Sequence, residues 1–329
     1  MGHSMKCMLS AANGWARASQ VQVPRPGYQR RLLTALVLGV VAIGVSQELM
    51  VAQELPAKPP REQDKEGDEV QWKLPSFASY QHLVRSEPRN LQIHLLTIRD
   101  LQKARFEVVS GEDPDGEGEV EATLRSPRTL AESVGAIAAI NTAAWSMFPD
   151  PATGKNPGYV QGGRADIQGW VLSGERQISP PQAGYWSVVL ERSGRARIEE
   201  FGTPKVVRER GIDPQWVVSG FRGILKEGKV LVEASEVRHP RTAIGLTADG
   251  ATMTWMVVDG RQKGYSEGVS EEELARLLLE QGCTEGINLD GGGSSSMWMK
   301  DERDRLRLIN RPSDPTGARP VPVILTLVP

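Results

Sequence analysis

The stretch Asn288-Leu289-Asp290-Gly291-Gly292-Gly293-Ser294-Ser295-Ser296 carries more chemistry per residue than any other part of this 329-residue chain. Three consecutive glycines cost backbone entropy and add nothing to a core, but they let main chain and ligand approach closely. Asp290 precedes them and the hydroxyls of Ser294 and Ser295 follow, and oriented glycine N–H groups form an anion-binding nest. A hairpin tip turning on Asp-Gly has the same local pattern, but it leaves three serines beside a buried strand without a role. No Gly-Lys-Ser/Thr follows, so this is not a nucleotide P-loop. The serines also lack the G-x-S-x-G frame of a nucleophile elbow.

Two further clusters could share that site. His239-Pro240-Arg241-Thr242 opens a strand-like run, and its guanidinium matches either a phosphate or a partner carboxylate. Val257-Val258-Asp259-Gly260-Arg261-Gln262 ends another strand; Asp259-Gly260 is a turn or a second carboxylate, and Arg261 a second anion contact. Gly264 to Gly268 does spell G-x-S-x-G around Ser266, but the strand ends several residues earlier than an elbow requires. The residues alone therefore leave two other chemistries open. One is a serine hydrolase using Ser294, Ser295 or Ser266 with His239. The other is a non-catalytic protein that binds glycan phosphates.

The elements that must hold these groups are legible around them. Thr242–Thr247 and Thr252–Val258 are strand-like and joined by a turn at Ala248-Asp249-Gly250. Ser270 with Glu273 forms a capping box, and Leu274, Leu277 and Leu278 share one helix face before the stop at Gly282. Gly286–Leu289 is a short strand delivering Asn288 and Asp290. Strand, helix, strand in this length predicts a crossover with parallel strands, which puts Asp259 and Asp290 on one sheet edge. Upstream, Thr129–Glu132 suggests a capping box, and Ala136–Ile140 a buried strand ending at Asn141. The acidic run Gly111–Glu121 has Leu124 where a calcium loop needs a bidentate Glu, and reads as an exposed loop. No metal or cofactor is expected.

The order of these motifs resembles the phosphodiester glycosidase family. The matching pieces are A-I-A-A-I-N ending at Asn141, Val218-Ser219-Gly220, H-P-R-T-A-I-G, V-V-D-G-R-Q, G-Y-S-x-G, I-N-L-D-G-G-G-S-S-S-M and Asn310-Arg311-Pro312-Ser313-Asp314. The resemblance is strongest over 130–329. One departure stands at Asn141-Thr142-Ala143-Ala144-Trp145, where the family continues with Gly-Gly and aromatic residues. The resemblance implies a hydrolase that cuts between an anomeric carbon and a phosphate oxygen. On that reaction Arg241 and the N–H groups of Gly291, Gly292 and Gly293 would hold phosphate. Asp290 would be nucleophile or general base, and Asp259 the second carboxylate. Asn141, His239, Arg261, Asn288, Ser294 and Ser295 would contact the substrate. The implied partner is a glycan or sugar phosphate.

Bulk properties are consistent with an exported soluble body. The formal net charge is only −2, which gives no electrostatic footprint for nucleic acid. Residues 1–31 hold five basic and no acidic side chains, leaving 34 basic against 41 acidic residues behind them. Arg30-Arg31 leads into an apolar run, Leu32–Val45, shorter than the roughly 20 residues of a bilayer span and suited to a signal-peptide core. Gly44-Val45-Ser46 supplies small residues for cleavage, and an uncleaved segment would serve as a membrane anchor. Cys7 precedes that run, so Cys283 is left without a partner and is expected to be buried. The predicted organisation is a head and export segment at 1–46, a charged Pro-rich linker at 47–72, and a domain at 73–329. The predicted fold is α/β or α+β, a single domain with a mixed β-sheet core and flanking helices. The destination is periplasmic, extracellular or membrane-anchored.

Overall fold

The computed structural model describes residues 70–116 and 118–329. The basic head, the apolar run, Cys7 and nearly all of the linker lie outside the described residues. Within them the chain is far richer in strand than in helix, 41% against 10%; the sheets are antiparallel and the flanking helices fewer than expected, while a single mixed domain remains compatible with this arrangement.

The sheet that carries the site has seven strands. Their order is Ala78–Arg85, Leu91–Arg99, Thr252–Val258, Arg241–Leu246, Glu285–Asn288, Arg222–Lys226 and Lys229–Val230. Every neighbouring pair is antiparallel. The crossover expectation therefore needs correction. Thr252–Val258 and Glu285–Asn288 do run in the same direction, but Arg241–Leu246 lies between them and pairs with both. Their carboxyl ends still share an edge, and the start of Arg241–Leu246 joins them there. Arg241 pairs with Val258 and Ala243 with Asn288, which aligns Arg241, Asp259 and Asp290 along that edge.

The apolar runs are continuous because this sheet is covered on both faces. Met253, Trp255 and Val257 point into a central core shared with Val188, Trp216, Ile140 and Leu325 of two five-stranded sheets. Met256 and Val258, alternating with them, pack on the opposite face against Leu274, Leu277 and Leu278 of the helix Glu271–Glu280. Period-two alternation assigns each side chain to one face or the other. The helix starts as its sequence demands: Ser270 accepts from the Glu273 N–H at 3.2 Å, and Glu273 accepts from the Ser270 N–H at 2.8 Å. Cys283 is buried behind it, against Gly245.

The short upstream helix differs from expectation. It spans Pro127–Ser133 with Pro at its first turn and Ser126 at the N-cap, so Thr129 lies inside it and Glu132 pairs with Arg128 at 2.8 Å instead of capping. A fixed proline φ starts a helix without needing the capping box. Ala138–Asn141 then enters a five-stranded sheet between Met297–Lys300 and Val323–Val328. Among the described residues no helix is long and apolar enough to cross a membrane.

Candidate active site

The aligned edge opens into a cleft of ≈ 1390 Å³, larger than the roughly 300–1,000 Å³ of a typical small-molecule pocket. Asp290, Gly291, Gly292, Gly293, His239, Arg241 and Arg261 all line it. So do Arg222, Arg319, Glu233 and Glu271, giving four arginines against three carboxylates. Arg222 and Arg241 share Glu271, and Arg319 pairs with Asp314, so the cleft presents guanidinium groups that can meet an anion beside the carboxyl of Asp290.

The three glycines explain how so much charge surrounds one aspartate. A Cβ at Gly291 would lie 2.8 Å from the Pro240 carbonyl, close against Arg241. One at Gly292 would lie 3.1 Å from an Arg261 guanidinium nitrogen, and Gly292 also holds a φ of +63°. One at Gly293 would collide with the Asp314–Arg319 ion pair. Each glycine thus admits a different arginine-bearing segment, and an alanine at any of them would push that segment away.

This revises the nest expectation. The Gly292 N–H donates to the Pro240 carbonyl at 2.9 Å, and the Gly291 N–H lies against the Asp290 carboxylate. Those two donors are already used inside the protein, which leaves the guanidinium groups as the donors that could meet an anion. The turn Gly292–Ser294 is a single 3-10 turn, which swings Ser294, Ser295 and Ser296 inward until all three are fully buried.

Asp290 is the chemically distinctive group. Burial pushes its carboxyl up to about 6, against the Ser294 hydroxyl, the Arg319 cation and the Gly291 N–H, which all favour the charged form. A carboxyl poised near neutrality in an arginine-lined cleft has the profile of a catalytic acid or base.

Asn141 touches Asp290 through the main chain. Its Nδ2 donates to the Asp290 carbonyl at 2.7 Å, while its Oδ1 accepts from the Thr242 hydroxyl at 2.8 Å and the Ser296 N–H at 3.1 Å. The side chain is buried, with its oxygen accepting two hydrogen bonds and its nitrogen held on the main chain. Its geometry fits a positioning residue, and it does not line the cleft. Asn288 is also buried and donates to Glu271 at 3.1 Å. Glu271 in turn pairs with Arg222 at 2.5 Å and Arg241 at 3.4 Å, so Asn288 reaches the cleft only through that carboxylate.

Asp259 is absent from the cleft. Its carboxylate accepts from Asn310 Nδ2 at 2.9 Å, the Arg311 N–H at 2.9 Å and the Tyr265 hydroxyl at 3.2 Å, with His94 Nε2 3.7 Å away. These partners fix the segment that runs on to Asp314 and Arg319. Being one strand beyond Arg241–Leu246, Asp259 starts about 10 Å from Asp290, and its carboxylate is held by Asn310, Arg311 and Tyr265, which line a different cleft. Asp259→Asn is therefore expected to lower stability by about 1–3 kcal/mol while keeping the turnover of the folded fraction within about tenfold. A catalytic carboxylate would lose roughly 10²–10⁴-fold. Urea denaturation beside steady-state kinetics separates the two.

The serine-hydrolase alternative fails on geometry. Ser266 is fully buried, donating to the Asp259 carbonyl at 2.6 Å and accepting from the Gln92 N–H at 3.0 Å. The imidazole of His239 stands 3.2 Å from the Arg261 guanidinium. Burial, then Arg261 and Arg241, lower its pKa. Its Nδ1 is aimed at that guanidinium, and the serines proposed to partner it are closed off from solvent.

Several cleft residues had no clear sequence signal. Glu271 sits in the acidic first turn of a capped helix and reads as dipole compensation. Its clue is topological, since that helix begins at the edge where Thr252–Val258 ends. Arg222 and Arg319 belong to a strand start and a loop with no motif. Asn310, whose Nδ2 also donates to the Ser295 carbonyl at 3.0 Å and whose Oδ1 accepts from the Met297 N–H at 2.9 Å, is a second buried brace resembling Asn141.

Comparison with known proteins agrees with this architecture. The catalytic domain of zebrafish N-acetylglucosamine-1-phosphodiester alpha-N-acetylglucosaminidase superposes with a TM-score of 0.56 at 17% identity, covering 79% of this chain and 87% of that one. A protein from Synechocystis superposes at 0.52 with 13% identity, over 76% of this chain and 62% of its own. Both are likenesses of fold. In sequence, an SPbeta prophage-derived protein of Bacillus subtilis strain 168 is 37% identical over 108 residues, which is 29% of this chain and only 16% of that protein's length. Residues 134–328 match the phosphodiester glycosidase family, and the chain belongs to it.

Proposed function

We propose that the protein hydrolyses the glycosidic bond of a sugar-1-phosphodiester, releasing the sugar and a phosphomonoester, with Asp290 as general base. The single observation that carries this is a carboxyl, pushed up to about 6 by burial, in a cleft lined by four arginines. Arg241, Arg261 and Arg319 hold the phosphate and stabilise the charge that builds on it as the anomeric C–O bond breaks. A phosphomonoester, with a second pKa of roughly 6, leaves without needing a proton. An acid partner for the leaving oxygen is therefore dispensable, in contrast to ordinary glycosides. That removes the need for Asp259 in the reaction. Glu271 is held by Arg222, Arg241 and Asn288 and tunes the arginine pair.

With one base and no covalent intermediate, water attacks opposite the departing phosphate and the anomeric configuration inverts. Release of sugar from N-acetylglucosamine-1-phospho-mannose, followed by proton NMR as the first product accumulates, tests both points. The inverted anomer is expected, with kcat/KM rising through about pH 6 as Asp290 ionises and then levelling. Retention would make Asp290 the nucleophile, and a profile falling above pH 6 would make it an acid. The zebrafish relative is described as an N-acetylglucosamine-1-phosphodiester alpha-N-acetylglucosaminidase, which makes N-acetylglucosamine the first sugar to try. The work is done outside the cytoplasm by the domain at 73–329, delivered by the basic head and the apolar run Leu32–Val45.

A further inference from the structure

The mouth of the cleft is chemically unlike its floor. Seven large apolar side chains are well exposed among the described residues, and four of them, Tyr159, Phe221, Leu231 and Val237, line this one cleft. A fifth, Val160, adjoins Tyr159 in the chain. Leu231 and Val237 are 47% and 58% exposed. They belong to the loop that follows Lys229–Val230, and that loop is secured by Val232, which turns inward onto the core beneath the helix Glu271–Glu280. Phe221 is 38% exposed although its own N–H is fixed to the Asn288 carbonyl at 2.9 Å. Apolar groups clustered around one concave site, and otherwise sparse on the surface, mark a surface that is covered in use.

What covers it follows from what the floor holds. A phosphodiester has two substituents. With the phosphate on Arg241, Arg261 and Arg319 and the sugar carbon at Asp290, the second substituent must leave through the mouth. Glu233, Ser235, Tyr159 and Tyr185 also stand along this wall; Phe221, Leu231 and Val237 add exposed apolar area that a hydrocarbon chain would cover and a sugar or peptide aglycone would leave largely wet. We infer that the aglycone is a hydrocarbon chain, so that the substrates are lipid-linked sugar-1-phosphates. The chain lies along Phe221, Leu231 and Val237 while the arginines hold its phosphate. This rests on the phosphodiester reading above and specifies the half of the substrate which that reading leaves open.

The test is calorimetric titration of the protein and of its Leu231→Ser/Val237→Ser double variant with methyl phosphate and octyl phosphate, the latter below its micelle concentration. Both substitutions fall on exposed positions, and the readout is the affinity ratio of the two ligands within each protein. Octyl phosphate is expected to bind the wild type at least tenfold more tightly, with the ratio dropping below threefold in the variant. Equal affinity of both ligands for the wild type overturns the inference and leaves the phosphate-binding floor standing. An octyl preference that survives in the variant also overturns it, since the chain would then lie elsewhere. Failure of both ligands to bind the wild type would overturn the parent reading along with this one.

Discussion

Asp290→Asn is expected to give a protein that is inactive and more stable than the wild type at pH 7. The loss of turnover should be about 10²–10⁴-fold, the usual contribution of a general base. The gain in stability follows from the same environment. The folded pKa of Asp290, about 6, lies above the ordinary value of 3.8, so folding favours the protonated form. That stabilising contribution is complete below about pH 4, and it is lost as the pH rises through 6. At pH 7 the ionised carboxylate therefore burdens the fold. A rise from 3.8 to about 6 is worth about 3 kcal/mol at most, and partial exposure reduces this to about 1–3 kcal/mol. For a body of this size that is roughly 3–8 °C in Tm. An asparagine has no charge to desolvate and recovers it. Thermal melts of both proteins between pH 3 and pH 8 should converge at the acid end, diverge above about pH 4 and hold a constant gap above about pH 6. Parallel curves would mean that burial does not hold Asp290 near neutrality.

Asn141→Ala is expected to have the largest effect on the fold of any single substitution around the site. It leaves the Asp290 carbonyl, the Thr242 hydroxyl and the Ser296 N–H without a partner in a buried setting. At about 1–3 kcal/mol for each unsatisfied group, a loss of roughly 4 kcal/mol is expected, with Tm falling by about 10 °C. Activity should also fall in protein that is still fully folded, because Asn141 sets the position of the Asp290 backbone. Urea denaturation with kinetics at a temperature below the variant's transition measures both. Normal stability with collapsed activity would instead put the Asn141 amide on the substrate.

How far the sequence led is clearest from the paired carboxylates. Asp290 was legible because its neighbours are chemically costly: three glycines and three serines need a reason, and close approach is the reason. The hairpin Arg241–Leu246/Thr252–Val258 and the capped helix were legible too, because capping and alternation act over a few residues. Asp259 carries the same local signature, a carboxylate before glycine at a strand end, and lies on the same edge. What separates it from Asp290 is the intervening antiparallel strand Arg241–Leu246 and the contacts from Asn310 and Arg311. Both depend on pairings between distant segments. The same holds for the sheets as a whole. A strand, helix, strand sequence favours a parallel pair, and only the insertion of an earlier strand between the two converts it to an all-antiparallel sheet. Glu271 acts through Arg222 and Arg241, and Asn310 reaches Asp259, partners 30 or more residues away, so the local sequence shows a helix cap and a loop motif without the contacts they serve.

The claim that Asp290 and the arginines cut the anomeric carbon–oxygen bond, leaving phosphorus untouched, is tested most directly by hydrolysis in ¹⁸O-labelled water. The product phosphomonoester is then examined by mass spectrometry. Attack at the sugar carbon leaves the phosphomonoester unlabelled, and that is the expected result. One ¹⁸O atom in the phosphomonoester would mean attack at phosphorus, and the protein would be a phosphodiesterase built on a glycosidase fold.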